Sequence, residues 1–211
     1  MIAIKLRINV KIPYALYLLV MCLYSVSVSA VNISGNATLV SDYVFRGVNL
    51  SAEEPAIQGG FDINQNGFYA GVWASSDSGS GEFDLYGGYT YALTESVALD
   101  VGITRYYYPI GGSTTEFYAG INWQALGLTY YYDETLEQDY LELSAGFSLT
   151  PQLALDLRAG QVSPEVGEQL YDASVTFTYA FDDTYAAFAG FTTHEADSID
   201  NYFIVGVSGI F

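Results

Sequence analysis

The chain has 211 residues, with 24 acidic side chains against 6 basic ones and a formal net charge of −18. That balance excludes nucleic acid as a partner, because a phosphate backbone demands a basic surface. Twenty Tyr, twelve Phe and two Trp exclude the other common meaning of acidic charge, a disordered tail poor in aromatics.

At the N-terminus, Lys5, Arg7 and Lys11 precede an apolar run from Ile12 to Leu23, and the segment ends Val28-Ser29-Ala30. This reads as a secretory signal with a small-residue cleavage site. The run is shorter than the roughly 20 residues of a spanning helix. Residues 1–30 are therefore expected to be removed, leaving residues 31–211 as the mature domain. The single cysteine, Cys22, leaves with them, and the bulky Met21 before it argues against a lipid-anchored form. The mature domain then has no thiol, disulfide or Cys metal site. No later stretch reaches the 18 apolar residues of a helical span, so any membrane insertion must use strands.

Period-2 alternation recurs through the rest of the chain. Leu153-Ala154-Leu155-Asp156-Leu157-Arg158 and Val97-Ala98-Leu99-Asp100-Val101-Gly102-Ile103-Thr104 each have one apolar and one polar face. Twelve such runs are expected at 34–47, 55–64, 67–76, 82–92, 96–108, 114–124, 126–133, 139–149, 152–162, 170–181, 184–194 and 201–211. Five connections are tight, at 65–66, 93–95, 125, 150–151 and 182–183. Six are longer and more acidic, at 48–54, 77–81, 109–113, 134–138, 163–169 and 195–200. None of the six looks long enough to fold inward as a large plug. Pro55, Pro109, Pro151 and Pro164 fall at strand ends or in connections, where a missing N–H does no harm.

An even number of strands of about ten residues, with short turns at one end and longer loops at the other, is the pattern of an outer-membrane barrel. A soluble β-sandwich or barrel is the rival. Aromatics crowd the strand ends, at Tyr106-Tyr107-Tyr108, Tyr130-Tyr131-Tyr132, Tyr89 with Tyr91, Tyr179 with Phe181, and Trp123, as in interfacial girdles. The last strand finishes on Phe211, a handle for the barrel-assembly machinery. The expected fold is all-β: a transmembrane antiparallel up-and-down β-barrel of about twelve strands, integral to the outer membrane.

The string Ser41-Asp42-Tyr43-Val44-Phe45-Arg46-Gly47 is followed by Pro55-Ala56-Ile57-Gln58-Gly59-Gly60-Phe61-Asp62. Gly67-Phe68-Tyr69-Ala70-Gly71-Val72-Trp73-Ala74-Ser75 and Glu82-Phe83-Asp84-Leu85-Tyr86-Gly87-Gly88-Tyr89 come next. This order resembles the TorF-like porin family of Gram-negative bacteria across the mature chain, most strongly from Gly35 to Tyr91. The resemblance implies an outer-membrane barrel with a pore role. Its loop after Gly47 departs from the family pattern, reading Val48-Asn49-Leu50-Ser51.

In a membrane barrel the apolar set faces lipid and the alternate set faces the lumen. The expected lumen and selectivity residues are Asp42, Arg46, Asp62, Asp84, Asp100, Glu116, Glu142, Asp156, Arg158 and Asp172, with Gln58 and Asn122 beside them. Tyr86, Tyr118 and Tyr131 point inward too. Strands 67–76 and 184–194 are apolar on both parities and stay unoriented. A charge facing lipid costs up to roughly 2–4 kcal/mol at mid-depth, which drives these groups inward. Two readings of them are open. Asp42 with Arg46 and Asp156 with Arg158 can pair as structural braces. Alternatively, the excess of carboxylates sets a negative lumen potential that favours cations.

Catalytic chemistry is not expected. The lone His194 ends a strand beside an acidic loop and reads as an exposed polar residue with no Ser partner in sight. His194, Glu195, Asp197 and Asp200 lack the ordered spacing of a calcium loop, so neither metal nor cofactor is expected. The functional expectation is a passive channel for small hydrophilic solutes, with cation preference. The alternative is a closed structural or surface-interaction barrel whose acidic outer loops bind a ligand or metal.

Overall fold

A computed structural model describes residues 30–76, 79–195 and 199–211. The expected signal peptide lies outside them, as do Asp77 and Ser78 of the second longer loop and Asp197 of the last.

The wall is built from β1 (Asn32–Val40), β4 (Ala56–Gln65), β5 (Phe68–Ser75), β6 (Glu82–Ala92), β7 (Val97–Tyr108), β8 (Gly112–Trp123), β9 (Leu126–Asp133), β10 (Gln138–Ser148), β11 (Leu153–Pro164), β12 (Leu170–Ala180), β13 (Tyr185–Glu195) and β14 (Ile199–Ile210). Each strand pairs antiparallel with its neighbours in the chain, and β1 pairs with both β4 and β14 to close the barrel. Closure leaves no sheet edge with unpaired backbone groups. At the seam, Gly35 and Phe211 exchange backbone hydrogen bonds of 2.6 and 2.9 Å.

Alternation places Ile57, Phe61, Leu143, Val101 and Phe203 on the outside, all exposed. Glu116, Asp133, Asp172 and Thr192 on the opposite parity are buried. The arrangement inverts a water-soluble protein, whose apolar groups go inside. The two strands left open by the sequence are now oriented. β5 sends Tyr69, Gly71, Trp73 and Ser75 inward, and β13 sends Phe188, Gly190, Thr192 and His194 inward.

Two expectations are corrected here. The run at 34–47 is not one strand: β1 stops at Val40, and β2 (Val44–Phe45) and β3 (Val48–Asn49) form a separate hairpin. Its two-residue turn is Arg46-Gly47, with φ of 48° and 78°, the left-handed pair such a turn requires. Nor are the outer connections too short to enter the bore. Residues 42–47 line the lumen, and Arg46 at the tip bonds Glu116 on β8, across the barrel from the β1–β4 seam where the hairpin is rooted.

The hairpin is fastened at its base. Leu50 N–H donates to the Tyr43 carbonyl at 2.7 Å, and Tyr43 N–H donates to Ser51 Oγ at 2.8 Å. The Asn49 side-chain oxygen accepts from the N–H groups of Ser51 and Glu53 at 3.0 and 3.2 Å. Val40, Tyr43 and Ala56 make a small apolar core with Phe45, Leu50, Trp73, Phe188 and Ile204 around them.

The aromatic runs at the strand ends also divide by parity. Tyr107, Tyr130 and Tyr132 face outward, with Tyr91, Trp123, Tyr179 and Phe181 at the short-turn end. Tyr106, Tyr108 and Tyr131 instead turn into the lumen, where they contact Glu116, Glu82 and Arg46.

Candidate functional site

The site is the constriction where the hairpin meets the wall. Arg46 bonds Glu116 in fork geometry, Nη1 to Oε2 at 2.7 Å and Nη2 to Oε1 at 3.0 Å. Its guanidinium also stacks on rings, 4.0 Å from the Tyr140 centroid and 4.7 Å from those of Tyr131 and Phe45. Burial opposes the Arg46 charge, but the Glu116 carboxylate more than offsets this and holds the guanidinium protonated. A planar donor fork that also stacks is what Arg supplies and Lys does not.

Tyrosine hydroxyls complete the lining. Tyr106 donates to Glu116 at 3.1 Å, and Tyr140 donates to Asp172 at 3.2 Å. Tyr43 and Tyr108 both donate to Glu82 at 2.8 Å. Burial, and then the Glu82 carboxylate, push the Tyr43 hydroxyl above its ordinary range, so it remains a donor. Further along the bore, Tyr69 donates to Asp100 at 2.9 Å and meets the Tyr118 hydroxyl, while Tyr86 donates to Asp62.

The residues singled out from sequence are distributed as follows. Asp42 stands at the hairpin base and accepts from Asn49 at 3.3 Å. Asp62 and Asp100 accept from tyrosines. Glu142 bonds Arg158 Nε at 3.2 Å. Asp156 is exposed to the lumen beside Gly146, and Asp84 is buried on β6. The suggested pairings of Asp42 with Arg46 and of Asp156 with Arg158 are corrected: both arginines choose glutamates on other strands. Arg46 extends from the hairpin tip across the bore, away from Asp42 at its base, whereas Arg158 turns to the neighbouring strand β10, where Glu142 lies diagonal to it in the register.

His194 ends strand β13 as expected but is not exposed. It is buried and lies beneath the turn of the hairpin, where a Cβ on Gly47 would come within 2.6 Å of its own Cβ. Glu82 and Asp133 are inward-facing carboxylates that the sequence reading left out. They share parity with Asp84 and Tyr131, and that signal was sufficient to find them. Arg105 has the opposite parity and donates to Thr115 and Ser113. Among the described residues, Asp84 Oδ1, Asp172 Oδ2 and His194 Nδ1 are buried without a hydrogen-bond partner, and no cluster of His, Cys, Asp and Glu has metal-binding geometry.

The hairpin splits the lumen into two cavities. One, of about 460 Å³, is lined by Tyr43, Phe45, Trp73, Asp84, Tyr106 and Phe188, among others. The other, of about 370 Å³, is lined by Arg46, Asp156, Arg158, Asp172 and neighbours. Both touch Val44, Ser174, Thr176, Thr192 and Ile204.

The model of the Gcw_chp family, described as bacterial proteins of unknown function, matches residues 25–206. The chain belongs to this family. No curated protein matches it. Among solved structures, the NanC porin in its rhombohedral crystal form superposes with a TM-score of 0.64 at 11% identity, covering 84% of this chain and 99% of that one. The KdgM porin gives 0.64 at 10% identity, with 85% and 98% covered. The KdgM porin in complex with disordered oligogalacturonate gives 0.62 at 11% identity, with 85% and 98% covered. At these identities the likeness establishes a shared fold, the closed twelve-strand antiparallel barrel.

Proposed function

We propose that this chain is an exported outer-membrane barrel that passes small hydrophilic solutes, with preference for cations. The observation that carries the reading is the inside-out distribution of the wall: apolar side chains exposed all round, and a polar inner face on which carboxylates outnumber guanidinium groups. A band of exposed aliphatic and aromatic residues is stable only against lipid. The resemblance to the TorF-like porin family and the fold shared with the NanC and KdgM porins support the same reading.

Selectivity follows from charge. Arg46 and Arg158 are each held by one glutamate, which leaves Asp62, Asp84, Asp100, Asp156 and Asp172 outside any ion pair among the described residues. Their field in a low-dielectric tube draws cations and repels anions. The KdgM porin structure holds oligogalacturonate. A polyanion of that kind is a poor solute for the lumen described here.

The test is planar-bilayer recording under a salt gradient. Discrete conductance steps with a cation-selective reversal potential are expected. Neutralising Asp100, Glu142 and Asp156 together is expected to move the reversal potential toward zero; an unchanged value removes them as the filter. The inserted hairpin favours a second reading, a closed barrel whose outer loops engage a partner. A folded, inserted protein that conducts nothing selects it.

A further inference from the structure

We propose that the larger cavity is a binding site for a small organic ammonium cation, with Asp84 as its counter-ion and the surrounding rings as its cage. Asp84 is only 6% exposed, lines the cavity, and its Oδ1 has no hydrogen-bond partner. Leaving an oxygen of a buried carboxyl group unsatisfied is costly, and a cation in the cavity removes that cost.

Nothing nearby plays that part within the protein. Three tyrosines line the same cavity, but their hydroxyls are committed: Tyr43 to Glu82, Tyr106 to Glu116 and Tyr86 to Asp62. The two lumen guanidinium groups are held by Glu116 and Glu142. Asp42, the other carboxylate on this cavity, accepts from Asn49, so Asp84 supplies the buried oxygen that lacks a partner.

Its immediate neighbours select the kind of cation. Trp73 on β5 and Tyr106 on β7 stand directly opposite Asp84 in the sheet register, one on each side. Directly opposed side chains on one face sit about 4.5–5.5 Å apart at Cβ. The hairpin adds Tyr43, in edge contact with Trp73 at 5.6 Å, and Phe45, 6.2 Å from Tyr106. Phe188 lines the cavity from β13. Rings around a carboxylate suit a weakly hydrated ammonium, whose charge is attracted to ring faces and whose carbon surface replaces water on them. A compact inorganic cation gains little from such walls and forfeits its hydration. The volume of about 460 Å³ lies within the range of small-molecule sites, roughly 300–1,000 Å³.

That this cation is a transported solute rests on the channel reading; that it binds does not. Binding is therefore measured without conduction, on the protein purified in detergent from membranes of cells expressing the full chain. Choline is titrated calorimetrically beside its uncharged carbon isostere, 3,3-dimethylbutanol, and beside potassium chloride at equal ionic strength. Saturable binding of choline is expected, at least tenfold tighter than either control, and Asp84→Asn is expected to weaken it tenfold or more. In Trp123→Phe, which changes an outward-facing residue, Trp73 is the sole tryptophan of residues 31–211, and its fluorescence is expected to respond to choline with the same midpoint. No saturable binding, equal binding of the isostere or of potassium, or an unaltered Asp84→Asn overturns the proposal. Should Asp84→Asn fail to fold, the comparison of the three ligands on the unmodified protein decides alone. A barrel that binds choline but conducts nothing overturns only the channel reading.

Discussion

The two ion pairs of the lumen join the same two groups and differ in everything else. Arg46 and Glu116 are 11% and 4% exposed, bonded through both nitrogens, and sealed by Tyr131 and Tyr140. Arg158 and Glu142 are 52% and 13% exposed, joined by one contact between adjacent wall strands. The wall pair is held in place by backbone ladders whether or not it forms. The buried pair is what carries the hairpin tip to the far wall, so its removal changes a structure and not merely a charge. In an acidic bore, the same residue type is a latch in one place and a partly solvated wall charge in the other.

Breaking the buried pair tests this most strongly. Glu116→Ala leaves a guanidinium enclosed without its carboxylate, a loss of about 3–5 kcal/mol from the docked hairpin. The expected outcome is cleavage by trypsin after Arg46 in the folded barrel, where the parent protein resists, together with larger conductance steps. Continued resistance at Arg46 shows that the pair does not hold the tip.

Gly47→Ala acts on the same latch more gently. The new Cβ falls 2.6 Å from His194 Cβ, and φ of 78° costs an L-residue about 1–2 kcal/mol. Trypsin sensitivity between those of the parent and Glu116→Ala is expected. A variant as resistant as the parent shows that the turn has room to move.

Arg158→Ala is the contrast. An ion pair with one half-exposed member contributes about 0–1 kcal/mol. The urea midpoint is expected to shift little and the hairpin to stay resistant to trypsin. The conductance is expected to become more cation-selective, since a lumen cation is gone. A collapse of stability equal to that of Glu116→Ala erases the distinction between the two pairs.

The turn at the hairpin tip shows why part of this architecture was hidden. Asn66-Gly67 joins β4 to β5 with φ of 53° and 86°, nearly the geometry of Arg46-Gly47. Asn-Gly advertises such a turn, because Asn tolerates the left-handed region. Arg does not, so Tyr43-Val44-Phe45-Arg46 reads as a continuing strand. Arg46 holds that conformation because contacts elsewhere over-determine it. Inward carboxylates such as Asp62 and Asp100 were visible through parity alone, whereas their tyrosine donors Tyr69 and Tyr86 sit on other strands and became partners only through the register.

The sequence by itself determined the wall: twelve spans, the inner and outer faces of all but 67–76 and 184–194, and the alternation of short turns with longer loops. These are local properties, since a period of two and a turn dipeptide can be read without knowing what lies across the barrel. Only the tertiary structure decided what fills the bore. Arg46 and Glu116 are 70 positions apart. They meet because closure of the sheet sets β8, β9 and β10 opposite the seam at which the hairpin is rooted. Which carboxylates are paired, and which are left facing a cavity, depends on that closure.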